Sequence, residues 1–204
     1  MDLYFSPLAC SMATRIALYE AGAAAEYRQV DTKAKRLADG SDFRPVNPMG
    51  QVPVLRADDG SLLTENAAVL QYVADRHPQS GLAPKEGFAR YDLQRWLNFI
   101  TSELHKTYSP LFNPDMPEAA KAIFKDKLKQ RYAFIAKRLD QHDYLLGTHF
   151  TVADAYLYVV TRWARHFDID VTQWPSLAQF MDRVGARAGV KLALNAESQA
   201  KKAA

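Results

Sequence analysis

At Pro78-Gln-Ser-Gly-Leu-Ala-Pro-Lys-Glu-Gly87 the chain changes character, and no other stretch constrains its fold as much. Turn formers fill this run, as they do in linkers. Strand and helix patterns alternate before it, and only helical patterns follow it. The spacing predicts an α/β domain over residues 1–77, a linker over 78–87 and an all-α domain over 88–204. In the first part, Leu3-Tyr4-Phe5 reads as a strand, and Ala13, Ile16, Ala17 and Ala21 recur at helical spacing up to Gly22. Glu26–Asp31 is a second strand candidate, followed by a polar stretch over 32–47 that breaks at Gly40. Residues 52–55 and 61–64 flank Asp58-Asp59-Gly60, a short-range hairpin signal that makes those two strands antiparallel. Four strands in a mixed sheet are expected, closed by a helix over 65–76 with Val69, Tyr72 and Val73 on one face.

Beyond the linker, Leu93, Trp96, Leu97, Ile100 and Leu104 form the apolar stripe of a long helix that stops before Pro110. Leu128, Ile135 and Leu139 predict a second helix. Val152, Ala155, Tyr156, Val159, Val160 and Trp163 predict a third, buried one, and Leu177, Phe180, Met181 and Val184 a fourth. Thr151-Val-Ala-Asp154 has capping-box spacing, with Asp where Glu or Gln is usual. Lys201-Lys202 reads as a frayed tail.

The formal net charge of +3 comes from Lys and Arg interleaved with Asp and Glu, so no nucleic-acid partner is expected. A single cysteine permits no structural disulfide and suits a reducing cytosol, and no signal-peptide pattern opens the chain. The apolar run over 152–160 contains Asp154 and is too short to span a bilayer, so no membrane partner is expected either. The chain reads as a soluble cytoplasmic protein. His77, His142, His149 and His166 lack metal-ligand spacing, and no metal is expected.

The lone Cys10 follows a strand and a Ser6-Pro7 turn and sits at the opening of a helical pattern. Unpaired N–H groups and the positive end of the helix dipole favour thiolate there. A dipole contribution of about 1 kcal/mol shifts a thiol by a little under one unit, so activation needs further donors. The competing reading is a small buried hydrophobe. Position 13 is Ala, so no C-x-x-C pair exists, and any disulfide at Cys10 must involve another molecule. Val52-Pro53 at a strand start is either a cis bond or an ordinary trans proline. Glu65-Asn66 opens a helix that offers N–H groups to a carboxylate, with the Glu65 side chain suited to an ammonium group. Simple capping by Thr64 is the alternative. Lys33, Lys35 and Arg36 suit a second carboxylate, or else form a solvated loop face. Asn98, Ser102 and His105 share one face of the long helix, and His105 with Lys106 supplies donors to an anion or thiolate. His105 is the partner this reading gives Cys10. A Cys-His protease pair lacks an orienting partner.

These residues resemble a known family. L-Y-F-S-P-L-A-C-S at the start, N-P-M-G-Q-V-P-V-L from Asn47, L-T-E-N-A at Leu63, W-L-N-F-I-T-S-E-L-H-K from Trp96 and G-T-H-F-T-V-A-D-A-Y from Gly147 look like bacterial beta-class glutathione transferases. The matches run through both halves in the expected order. The resemblance implies a thioredoxin-like amino-terminal domain, an all-helical carboxy-terminal domain and a homodimer active in detoxification. It implies glutathione as co-substrate, and Cys10 facing the glutathione sulfur with the capacity for a mixed disulfide. Val52 would pair its backbone with the cysteinyl group, with Pro53 cis. Glu65 and Asn66 would hold the γ-glutamyl end and Lys35 the glycyl carboxylate region. Asn98, Ser102, Glu103 and His105 would complete the pocket, some of them across a dimer interface, and Asp154 would serve folding. Asn66 departs from the serine usual there, and an amide still donates and accepts. Two other readings of the site remain: a single-cysteine thiol-disulfide oxidoreductase, and a non-enzymatic binder of apolar ligands using Trp96, Trp163 and Phe112.

Overall fold

The structure is a computed structural model and describes residues 1–202. Strand β1 (Asp2–Phe5) lies at the centre of a five-stranded sheet in the order β3-β2-β1-β4-β5. Helix α1 (Met12–Glu20) carries the chain to β2 (Glu26–Asp31), which pairs parallel to β1 with Leu3 opposite Tyr27. The hairpin of β4 (Val54–Arg56) and β5 (Leu62–Leu63) turns over Asp58-Asp59-Gly60 and adds antiparallel to β1, with Leu3 opposite Leu55. The fifth strand, β3 (Arg36–Leu37), corrects the expected four. It is two residues long, pairs antiparallel with β2 and lies in the stretch read as polar and irregular. Two residues carry no alternation for a sequence pattern to register.

Side chains alternate across the sheet. Tyr4 packs with Val30, Phe43 and Val54 on one face. Phe5 meets α1 on the other, where the Arg15 guanidinium lies 4.3 Å from the Phe5 ring and 3.8 Å from the Tyr27 ring. Helix α2 (Asn66–Arg76) packs beside α1 and buries Val69, Leu70 and Val73.

Residues 86–185 form a second compact unit. Helix α3 (Gly87–Phe99) runs into a π-helical segment, Ile100–His105, and then one α-helical turn, α4 (Lys106–Tyr108). The expectation of one continuous α-helix is corrected here. The hydroxyls of Thr101 and Ser102 turn back onto the carbonyls of Leu97 and Asn98 at 2.8 and 3.0 Å, and the Lys106 N–H reaches the carbonyl of Thr101, five residues back. Such back-bonding competes with the ordinary ladder and bends helices. Helices α5 (Glu118–Leu139), α6 (Val152–Thr161) and α7 (Pro175–Gly185) complete the unit, and all ten residues of α6 are buried. Asp154 accepts from the N–H and hydroxyl of Thr151 at 2.8 and 2.9 Å and from the N–H of Leu145 at 2.8 Å, so it joins the loop before α6 to its first turn.

The last helix, α8 (Ala188–Lys202), belongs with the first unit and packs along α1. Neither the expected helical domain over 88–204 nor a frayed Lys201-Lys202 anticipates this. The buried positions of α8 include Gly189, Val190, Ala193 and Glu197, which give almost no apolar stripe. Close approach replaces bulk. A Cβ at Gly189 would lie 2.7 Å from Glu20 Oε1, and Arg187 Nε donates to Glu20 at 3.1 Å. No described helix is long and apolar enough to cross a membrane.

Candidate active site

Cys10 lies in the turn between β1 and α1, 8 % exposed. Its thiol donates to the carbonyl of Val52 at 3.3 Å. That bond belongs to the protonated thiol, so ionising Cys10 gives it up. Helix α1 starts two residues later, and Ser11 at its cap makes no capping bond. Its hydroxyl closes the turn instead, accepting from the Ser6 N–H and donating to the Ser6 carbonyl. The turn also holds Leu8 at φ 62°, an uncommon conformation for a residue with a Cβ. A carboxylate from α8 fixes it there: Glu197 accepts from the Leu8 N–H at 2.7 Å and from Arg15 Nε at 2.8 Å. Glu197 and Arg15 are 0 % and 4 % exposed.

Asn66 ties this turn to α2. Its side chain donates to the Cys10 carbonyl at 3.2 Å and accepts from the Thr14 hydroxyl at 3.0 Å. The Asn66 amide is therefore spent on the protein, and what α2 offers a ligand is the open row of main-chain N–H groups at its start. Glu65 caps that helix with no side-chain bond, at φ 64° and ψ 113°, its side chain exposed. Capping by Thr64 is not found. Holding an L-residue at positive φ costs about 1–3 kcal/mol, and such strain gathers at functional positions.

The Val52–Pro53 peptide bond is cis. The loop before it is pinned by Asn47, which accepts from the Met49 N–H at 3.1 Å and donates to the Gln51 carbonyl at 2.8 Å. Lys35, at φ 60°, folds along this loop and donates to the Gly50 carbonyl at 3.0 Å. A Cβ at Gly50 would meet the Lys35 stem at 2.4 Å, so the loop needs glycine there. The first unit thus links Cys10, Val52 and Asn66 by direct hydrogen bonds, with Glu65 adjoining Asn66 and Lys35 on the loop that leads into Val52.

The remaining expected residues lie in the second unit. Asn98 and Ser102 are exposed, and the Ser102 hydroxyl donates to the Asn98 carbonyl. Glu103 is paired with Arg131 at 2.8 Å and Lys127 at 3.6 Å on α5. The Arg131 hydrogen bond, with the charge of Lys127, holds its carboxyl below the usual range. His105 ends the π-helical segment, its Nδ1 2.6 Å from the Tyr156 hydroxyl. Burial, then the Lys106 charge, pushes its imidazole down to about 4. It is neutral at pH 7. The π-helical register also turns His105 off the face it would share with Asn98 in a regular α-helix. Sequence reasoning gave no role to Arg15, Glu197, Thr14, Asn47 or Tyr156. The quoted N-P-M-G-Q run held a signal for Asn47, since Asn is a turn former; Glu197 gave none.

The family model described as "Glutathione S-transferase, N-terminal domain" matches residues 2–75, and that described as "Glutathione S-transferase, C-terminal domain" matches residues 99–188. The chain belongs to the glutathione S-transferase family. It is 42 % identical to the glutathione S-transferase GstA of Escherichia coli O157:H7, over 97 % of this chain and 98 % of that protein. It is similar to the solved structure of a sphingomonad glutathione S-transferase complexed with glutathione, with a TM-score of 0.94 and 43 % identity over 97 % of this chain and 99 % of that one. The bacterial beta-class enzyme of Sphingomonas chungbukensis matches with a TM-score of 0.93 and 41 % identity, over 97 % and 98 % of the two chains. Within the glutathione S-transferase family the chain is thus of the bacterial beta type, as its motifs indicated.

Proposed function

We propose that this glutathione S-transferase binds glutathione in its first unit and promotes attack of the glutathione thiolate on electrophilic substrates. The observation that carries this reading is the direct link from Cys10 through Asn66 to the strained Glu65 at the open start of α2. One end of that link suits a thiol. The other suits a group with both a carboxylate and an ammonium, the first on helix N–H groups and the second on the Glu65 carboxylate. The γ-glutamyl end of glutathione has both. The cysteinyl group then falls beside Val52, and Lys35 serves the glycyl carboxylate once its ammonium leaves the Gly50 carbonyl. Asn98, Ser102, Glu103 and His105 are the candidate binding residues of the second unit, and His105 offers a donor to a thiolate. The enzyme works in the cytoplasm as a homodimer in detoxification, and glutathione is its co-substrate, without a metal.

A second reaction is favoured by the lone thiol. The Cys10 thiolate attacks one sulfur of oxidised glutathione, forming a Cys10–glutathione disulfide and releasing the other half as glutathione thiolate. The experiment is retention on immobilised glutathione together with thiol addition to a panel of aryl, alkyl and enone electrophiles. Binding and turnover are expected, and a protein showing neither overturns the reading. Intact mass after incubation with oxidised glutathione is expected to show one adduct on Cys10 and none in Cys10→Ser.

A further inference from the structure

The imidazole of His105 is held on more than one side. The hydroxyl of Tyr156 lies 2.6 Å from Nδ1. The Tyr156 ring stands at 89° to the imidazole with centroids 5.8 Å apart, and the Trp163 ring meets it edge-on at 5.1 Å. Tyr156 is 1 % exposed and sits in the middle of α6, which is buried all round. Its hydroxyl cannot swing away to water, and flipping the His105 ring would break a short hydrogen bond inside an aromatic cluster.

A neutral imidazole carries one N–H and one lone pair, and the partner of one nitrogen decides the state of the other. A phenol O–H is a stronger donor than an imidazole N–H, and a ring nitrogen is a stronger acceptor than a phenol oxygen. The contact therefore runs from the Tyr156 O–H to the Nδ1 lone pair. We propose that Tyr156 is a positioning residue that fixes His105 as the Nε2–H tautomer, so that His105 acts as a neutral hydrogen-bond donor to a thiolate. The thiolate half of this statement rests on the glutathione reading above; the tautomer half does not. Burial keeps the imidazole uncharged at neutral pH, which removes imidazolium as the donating species. A neutral Nε2–H stabilises the thiolate without competing for its proton. The opposite tautomer would present a lone pair and repel it.

The experiment is long-range ¹⁵N–¹H correlation NMR on the full-length protein labelled in histidine, with the His105 signals assigned by their loss in His105→Gln. At pH 7 a protonated Nε2 and a hydrogen-bonded, unprotonated Nδ1 are expected. A proton on Nδ1, or an imidazolium, overturns the proposal without any variant having to fold. Tyr156→Phe is expected to give a mixture of tautomers and to lower kcat for a dinitroaryl chloride about tenfold, the size of one hydrogen bond in the transition state. The KM for glutathione should stay within about twofold, because the contact is made to the transition-state thiolate. An unchanged tautomer in Tyr156→Phe overturns the role of Tyr156. Full activity in His105→Ala overturns instead the role of His105 on which the thiolate half rests.

Discussion

Cys10 donates its proton to Val52, while the helix start behind it favours the thiolate, and the balance between these two neighbours is the local chemistry of the site. His105 is the residue whose protonation can be tested most directly. Its imidazole titrates at about 4 when folded against 6.5 when free, so the unfolded chain takes up the proton first as pH falls. The contribution to stability is complete above pH 6.5 and is lost as pH drops towards 4, a change of about 3 kcal/mol. Asp154 works in the opposite sense, since burial raises its carboxyl to about 6 and part of that cost is relieved below pH 6. Urea unfolding of the wild type and His105→Gln at pH 7 and pH 4.5 separates the two, because both chains carry Asp154. The wild type is expected to lose more stability on acidification than the variant, and equal losses contradict a buried neutral His105. At this scale the sequence showed which residues bear reactive groups, because Cys10 and Glu65 stand at helix starts that local patterns reveal. It did not show that Asn66 turns inward, because that depends on Thr14 and the Cys10 carbonyl, which only the folded chain brings near.

Helix α8 is attached to α1 by charge and close approach. Glu197 meets Arg15 near one end of the contact, Arg187 meets Glu20 near the other, and Gly189 leaves room for the Glu20 side chain. Glu197→Ala leaves a buried guanidinium and the Leu8 N–H without their carboxylate, and is expected to cost about 3–5 kcal/mol in chemical unfolding. Replacing Arg15 and Glu197 together by methionine should cost less than removing Glu197 alone, because no charge is then left buried and uncompensated. A double-mutant cycle by urea denaturation reads both. Apolar periodicity shows α3, α5, α6 and α7, where bulky side chains repeat, and misses α8, whose inward positions are small or charged. The π-helical segment was also hidden, since a hydrogen-bond register leaves no mark on periodicity. Consecutive Thr101 and Ser102, whose hydroxyls bond back to the preceding turn, stand at the start of that segment.

Across the described residues, every strand of the sheet precedes Pro78, and the last helix, α8, returns to the first unit. Composition marks where one kind of structure stops. It does not record which surface a late helix returns to. A chain ended after Gly185 keeps every residue proposed to bind glutathione but loses α8. It is expected to lose retention on glutathione and the cooperative unfolding of its first unit, measured by circular dichroism during a urea titration. Retention equal to that of the full chain would show that α8 is dispensable. The pairing of Leu8 with Glu197 also bears on synthesis. Translation delivers the turn that carries Cys10 well before the carboxylate that locks it, since Leu8 and Glu197 are 189 residues apart, so the ribosome must add that whole stretch before the thiol site can set. A nascent or prematurely released chain that lacks Glu197 therefore holds the cysteine in an unfinished turn, and the site waits for a residue made long after it.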